Sequence, residues 1–182
     1  KGTGSWTTIE AAKRGIPIPT LTAALNARFM SSMWEDRRQA AAALLTSTQK
    51  QSVNIDSVME AYQLCRIINH HQGFQLIETV SKQESWDINL SELAQTWTAG
   101  CIIRSRLMEE IEMLIGQSNN LLMHPIMVQK CNQSVDSLKQ MLSVALFNEL
   151  PMDCFSASAQ HLFGYKQAAS GASLIQAQRD FF

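Results

Sequence analysis

Residues 55–82 read IDSVMEAYQLCRIINHHQGFQLIETVSK, and within them Val58, Tyr62, Cys65, Ile68 and Leu76 recur at intervals of three, four and eight. That is the period of one helix face, because side chains three or four apart lie above one another on a helix. No proline interrupts the stretch, so one long helix is expected from about Ile55 to Lys82. The same reading extends outward. Four prolines and eight glycines in 182 residues leave room for other long helices. No segment alternates apolar and polar residues as a half-buried strand does. The expected fold is all-α, a multi-helix domain.

Upstream, Thr7 is placed to cap a short helix, with Glu10 three residues later completing a capping box, and Gly15 ends it. Ile16-Pro17-Ile18-Pro19 is then a stiff extended connector, since proline disfavours helix in the residue before it. Thr20 is expected to cap a helix running to about Leu45, with Leu21, Leu25, Phe29 and Met33 along one stripe. Thr46 to Ser52 reads as a polar loop. Downstream, Ser85-Trp86-Asp87-Ile88-Asn89 is a break, Ser91 caps a helix through Trp97, and another helix runs from about Cys101 to Ile115. Gln117-Ser118-Asn119-Asn120 is a turn, and Pro125 suits the first turn of a helix reaching Phe147. Two shorter helical segments follow. A weak internal duplication is also visible: Ile16-Pro17-Ile18-Pro19-Thr20 through Ala24 has a diverged echo in Leu150-Pro151-Met152-Asp153-Cys154 through Ser158, 134 residues later.

Composition bounds the function. The length fits one ordinary domain, and 46% hydrophobic residues suffice for a core. Fifteen basic against sixteen acidic residues lack the excess a nucleic-acid binder carries, so no nucleic-acid partner is expected. The longest uninterrupted apolar run, Ala40 to Leu45, is too short to span a bilayer, and no signal peptide opens the sequence. Cys65, Cys101, Cys131 and Cys154 are widely spaced and read as free thiols in a reducing, cytoplasmic compartment. A first residue of Lys and a bare Phe181-Phe182 end suggest a fragment of a longer protein.

Lys1-Gly2-Thr3-Gly4-Ser5-Trp6-Thr7 is the most informative stretch for chemistry. Its glycines let backbone approach a ligand, Lys supplies a charge, and three hydroxyls precede a helix N-terminus where an anion such as phosphate is favoured. It is neither a Walker A loop nor a dinucleotide fingerprint. A solvated linker and an anion site both remain open on the local residues. Arg28 falls on the stripe of Leu21 and Leu25, which points either to a core-edge salt bridge or to an anion shared with Lys1. Glu35-Asp36-Arg37-Arg38 reads as a solvated face with local ion pairs. His70 and His71 point in different directions on a helix and form no compact metal site alone, and no metal is expected. His124 and His161 read as structural, and the nine methionines as core filler. Arg179 lies on a terminal amphipathic helix.

These stretches together resemble the C-terminal helical domain of 6-phosphogluconate dehydrogenase, the decarboxylating enzyme of the pentose phosphate pathway. The resemblance rests on Lys1-Gly2-Thr3-Gly4 with Trp6-Thr7, Ala27-Arg28 with Ser31-Ser32, Gln72-Gly73-Phe74, Trp97, Gly100-Cys101-Ile102-Ile103-Arg104-Ser105, and Ala172 through Phe182. The matches run in family order along the whole chain. Departures are Ser5 where the family often has Lys, His70-His71 where it usually has Tyr-Ala, and Asp153 where it has a second proline.

The resemblance implies an NADP-linked oxidoreductase that oxidises C3 of 6-phosphogluconate, loses carbon dioxide and yields ribulose 5-phosphate. It implies that residues 1–182 are a single all-helical substrate-binding and dimerisation domain. A Rossmann nucleotide-binding domain with the catalytic Lys/Glu pair would lie upstream and a tail downstream, so the fragment alone is expected to be inactive. Lys1, Thr3 and Arg28 would bind the substrate, its phosphate above all. Arg179 would reach the site of the partner subunit in a homodimer. Two other readings stay open: a related 3-hydroxyacid dehydrogenase with a different substrate, or a non-catalytic helical interaction module.

Overall fold

The computed structural model describes residues 2–45, 50–118, 120–169 and 171–182. Lys1, Asn119 and part of the Thr46–Ser52 loop therefore lie outside the described residues. Among the described residues the chain is all-α, with nine α-helices, one short 3-10 turn at Leu121–Met123 and no strand. In chain order the helices are α1 Gly4–Lys13, α2 Pro19–Ser32, α3 Trp34–Ala43, α4 Ile55–Gln83 and α5 Leu90–Thr98. There follow α6 Arg106–Ile115, α7 Pro125–Phe147, α8 Asp153–Tyr165 and α9 Ala172–Phe181.

The two long helices α4 and α7 pack on each other and form the spine, with α8 laid against both. Leu64 and Ile68 of α4 meet Met127, Leu138 and Met141 of α7, and Met108 and Ile111 of α6 close the core. Each side chain buried in this way contributes roughly 1.5–3 kcal/mol. The paired helices α5 and α6 close one end, joined by the Ser91 hydroxyl, which donates to the Glu112 carbonyl at 2.9 Å. At the other end α2 lies on α8 and α1 on α2. Arg14 ties α1 to the end of α4 through Glu84 at 2.7 Å.

The internal duplication is a repeated backbone corner. Gly15 and Glu149 both take left-handed φ, +66° and +56°. Before each, a helix ends with the same bonds: Ile16 N–H to the Ala11 carbonyl at 2.9 Å, and Leu150 N–H to the Ala145 carbonyl at 2.8 Å. After each, the proline connector leads to a residue with nearly the same torsions, Ile18 at −124°, 51° and Met152 at −126°, 54°. The helices that follow, α2 and α8, are the ones that pack together.

Several helix ends differ from the sequence reading. Thr7 caps nothing: α1 begins at Gly4, and Thr7 lies inside it with its hydroxyl donating to the Thr3 carbonyl at 3.1 Å. Glu10 pairs with Lys13 at 3.0 Å instead of closing a capping box. Pro19 takes the first position of α2, which moves the cap to Ile18 and leaves Thr20 buried within the first turn. The long helix expected to reach Leu45 is broken at Met33 (φ −85°, ψ 48°). Just before the break the Ser31 and Ser32 hydroxyls donate to the Arg28 and Phe29 carbonyls, each at 2.7 Å, a back-bond that competes with the helical N–H groups and favours a bend. The expected stripe is accordingly split: Leu21 and Leu25 are half-buried, whereas Phe29 and Met33 are exposed.

Asn89, not Ser91, caps α5, accepting from the Ser91 and Glu92 N–H groups at 3.0 and 3.2 Å. Cys101 lies outside α6, which starts at Arg106 because Gly100 (φ +78°) turns the chain and Ser105 accepts from the Met108 N–H. Of the methionines, Met108, Met127 and Met141 fill the core, but Met30, Met33, Met59, Met113 and Met123 are exposed. The expected long helix α4, the break before α5, the helix from Pro125 and the two shorter helices after it stand where the sequence puts them. All four cysteines are free thiols.

Candidate functional site

The first candidate region is the corner of α1 and α2. Thr3 occupies the N-cap position of α1 but makes no side-chain capping bond. Among the described residues no side chain caps the first-turn N–H groups of α1, at the positive end of the helix dipole. A Cβ built on Gly4 would lie 3.5 Å from Leu25 Cδ1, so the start of α1 lies over the middle of α2. Arg28 is three residues beyond Leu25 on α2 and is exposed. It takes part in no ion pair among the described residues, which removes the core-edge salt bridge as its reason for being there. Lys1 belongs by sequence to this end but lies outside the described residues.

Arg179 is elsewhere. Every residue of α9 is exposed, including the large apolar side chains Leu174, Ile175 and Phe181. No residue of the helix is buried against the rest of the chain, and nothing there packs Arg179 beside Thr3 and Arg28. α3 is exposed along its whole length too, with Arg38 and Glu35 paired at 3.0 Å on its solvated face as the charge pattern suggested.

The sequence reading missed a buried polar junction beneath α2. Gln72 of α4 accepts from the Thr20 N–H at 3.0 Å and donates to the Thr20 hydroxyl at 3.1 Å. That hydroxyl shares a 3.0 Å hydrogen bond with Ser158 of α8. Gln72 and Ser158 are fully buried and Thr20 is 4% exposed. The signal was present: Gln72 stands four residues from both Ile68 and Leu76, an amide on an apolar stripe that needs internal partners.

A second cluster gathers buried His71 with partly buried His161 and exposed Tyr165. His71 lies 6.1 Å from the His161 ring and edge-on to Tyr165 at 5.6 Å. Burial, reinforced by His161, holds His71 down to about 4, so its imidazole is neutral near pH 7. Burial, with Arg66 adding to it, does the same to His70. His124 caps α7, with its Nδ1 accepting from the Ile126 N–H at 3.4 Å. Burial pushes the Cys65 thiol up to about 12 and Cys131 to about 11, which leaves neither as a ready nucleophile. Among the described residues no three His, Cys, Asp or Glu side chains converge on one metal position. No helix there is long and apolar enough to cross a membrane.

Fold and corner together define a class: an all-helical domain with an exposed Arg28 on the helix that lies under the N-terminus of α1. Residues 1–182 match the family described as 6-phosphogluconate dehydrogenase, C-terminal domain. The chain belongs to the 6-phosphogluconate dehydrogenase family, in the part that forms its C-terminal domain. It is 35% identical to the decarboxylating 6-phosphogluconate dehydrogenase of Raoultella terrigena, with all of this chain and 42% of that protein covered. For the enzyme of Escherichia coli K12 the identity is 34%, over all of this chain and 40% of that protein. The chain thus spans about two fifths of the length of these relatives. Its fold superposes on Plasmodium falciparum 6-phosphogluconate dehydrogenase with a TM-score of 0.92 at 32% identity, covering 99% of this chain and 40% of that one. That enzyme has been solved in its apo form and with its cofactor NADP+ and its substrate 6-phosphogluconate.

Proposed function

We propose that this chain is the substrate-binding and dimerisation domain of an oxidoreductase that oxidatively decarboxylates 6-phosphogluconate. The whole enzyme would pass hydride from C3 to NADP, release carbon dioxide and leave ribulose 5-phosphate. The observation that carries this reading is Arg28, an exposed guanidinium with no ion pair among the described residues, on the helix that runs beneath the uncapped N-terminus of α1. A planar, permanently charged guanidinium can donate to two oxygens of a phosphate at once, and uncapped N–H groups suit its remaining oxygens. Lys1, Thr3 and Arg28 are the proposed anchors of the substrate, its phosphate above all. Binding energy gathered at the phosphate would be used to orient C3 for reaction.

Among the described residues there is no strand, and hence no glycine-rich strand-to-helix turn of the kind that cradles a dinucleotide pyrophosphate. No residue of this domain is therefore assigned to NADP, which we place with the hydride-transfer and acid–base groups elsewhere in the protein.

A homodimer completes the reading, with Arg179 contributed to the partner subunit's site. Its support is the exposed α9, together with an accessible surface of 12266 Å² where about 8,800 Å² is usual for a compact 20.3 kDa monomer. The excess is of the order that obligate interfaces cover. We place the enzyme in the cytoplasm, in keeping with four free cysteines. The test is Arg28→Ala in the full-length protein. The KM for 6-phosphogluconate is expected to rise by roughly 10²-fold, while the KM for the nucleotide stays within about twofold. An unchanged substrate KM would remove Arg28 from the site.

A further inference from the structure

We infer that Thr20, held by Gln72 and Ser158, is a positioning residue that aims Arg28 at the substrate; the inference rests on the anchoring role proposed for Arg28. Thr20 is the one buried residue of α2. Beyond Ala27 every residue of α2 and α3 is exposed, so Arg28 stands where α2 leaves the packed part of the domain. The base is fixed by three directional bonds at 3.0, 3.1 and 3.0 Å, which converge on the backbone N–H and hydroxyl of Thr20 from α4 and α8. α2 also lies along α8, and its contact with α1 at Leu25 is apolar. Among the described residues, the hydrogen bonds that reach α2 from other helices are those at Thr20, and they add a directional constraint to that packing.

The geometry gives this leverage. Thr20 and Arg28 are eight residues apart, about 12 Å along a helix, so a tilt of about 5° at the base moves Arg28 by about 1 Å. A displacement of that size in a substrate-positioning group can cost on the order of 10²-fold. The junction also explains why buried polar atoms stand here at all: an apolar base would pack equally well but would not index the helix.

The test uses the full-length enzyme, with steady-state kinetics on 6-phosphogluconate. Thr20→Val keeps the shape and the N–H but removes the hydroxyl, so it is the primary variant; Gln72→Leu is the more drastic one. For Thr20→Val the substrate KM is expected to rise roughly 5–20-fold, with kcat and the nucleotide KM within about twofold, and Thr20→Ser to restore the wild-type value. In an Arg28→Ala background, Thr20→Val is expected to add nothing, because the lever then carries no anchor. An unchanged KM in Thr20→Val, or an effect that persists undiminished in the Arg28→Ala background, would overturn the positioning role while leaving Arg28 as an anchor. If Arg28→Ala itself leaves the KM unchanged, the anchoring reading fails and the positioning role falls with it.

Discussion

Gly15 and Glu149 occupy the same left-handed corner of the two repeated units, and only one of them is a glycine. At Gly15 an added Cβ would meet nothing within 4 Å, so the penalty for a side chain is purely conformational. Gly15→Ala is expected to lower the stability of the protein by about 1 kcal/mol, read from urea unfolding, and no loss would mean that the corner relaxes freely. His71 offers a test with a defined pH window. Its folded-state value of about 4 lies below the ordinary 6.5, so the unfolded chain binds the proton more readily. Stability should thus fall as the pH drops through 6.5 and level off near 4, by up to roughly 3 kcal/mol from this group. His71→Gln should flatten that fall between pH 6.5 and 4.5, leaving the part due to His70 and His161, both also held down by burial. A variant as acid-sensitive as the parent would place the titration elsewhere.

Among the elements, the long helices were the legible part. Val58, Cys65, Ile68 and Leu76 announced α4, and Pro125 announced the start of α7, because apolar periodicity and proline act locally. Helix ends were less legible, since neighbouring polar residues compete for the same N–H groups. Asn89 and Ser91 are both competent caps by residue type; Asn89 takes the position, and the Ser91 hydroxyl donates to the Glu112 carbonyl of α6. Asn89→Ala is expected to cost about 1 kcal/mol, measured by thermal unfolding. An equal loss in Ser91→Ala would be attributed to the α5–α6 link rather than to the cap. The break at Met33 was hidden for a related reason: Ser31 and Ser32 look like ordinary helix residues until their hydroxyls bond back to the preceding turn. As for the candidate site, Thr3 and Arg28 stood out as a glycine-flanked hydroxyl and a charge on an apolar stripe. The Thr20–Gln72–Ser158 junction was not anticipated, because its members are 52 and 138 residues from Thr20 in the chain.

At the scale of the whole molecule, α3 and α9 are exposed along their whole length, and the surface is about 40% larger than a compact chain of 20.3 kDa presents. If α9 reaches the site of a partner, two defective subunits can repair each other. A mixture of Arg28→Ala and Arg179→Ala full-length subunits, unfolded and refolded together, would form hybrid dimers in which one site carries both lesions and the other none. About a quarter of wild-type activity is expected from random pairing. No recovery would assign Arg179 to the site of its own subunit or to none. The claim on which the rest depends is the reaction itself. Its most direct test is turnover of the full-length protein with 6-phosphogluconate and NADP, following reduced nucleotide and carbon dioxide together. Equal amounts of both products are expected. Reduced nucleotide without carbon dioxide, or no turnover by a folded enzyme, would contradict the account.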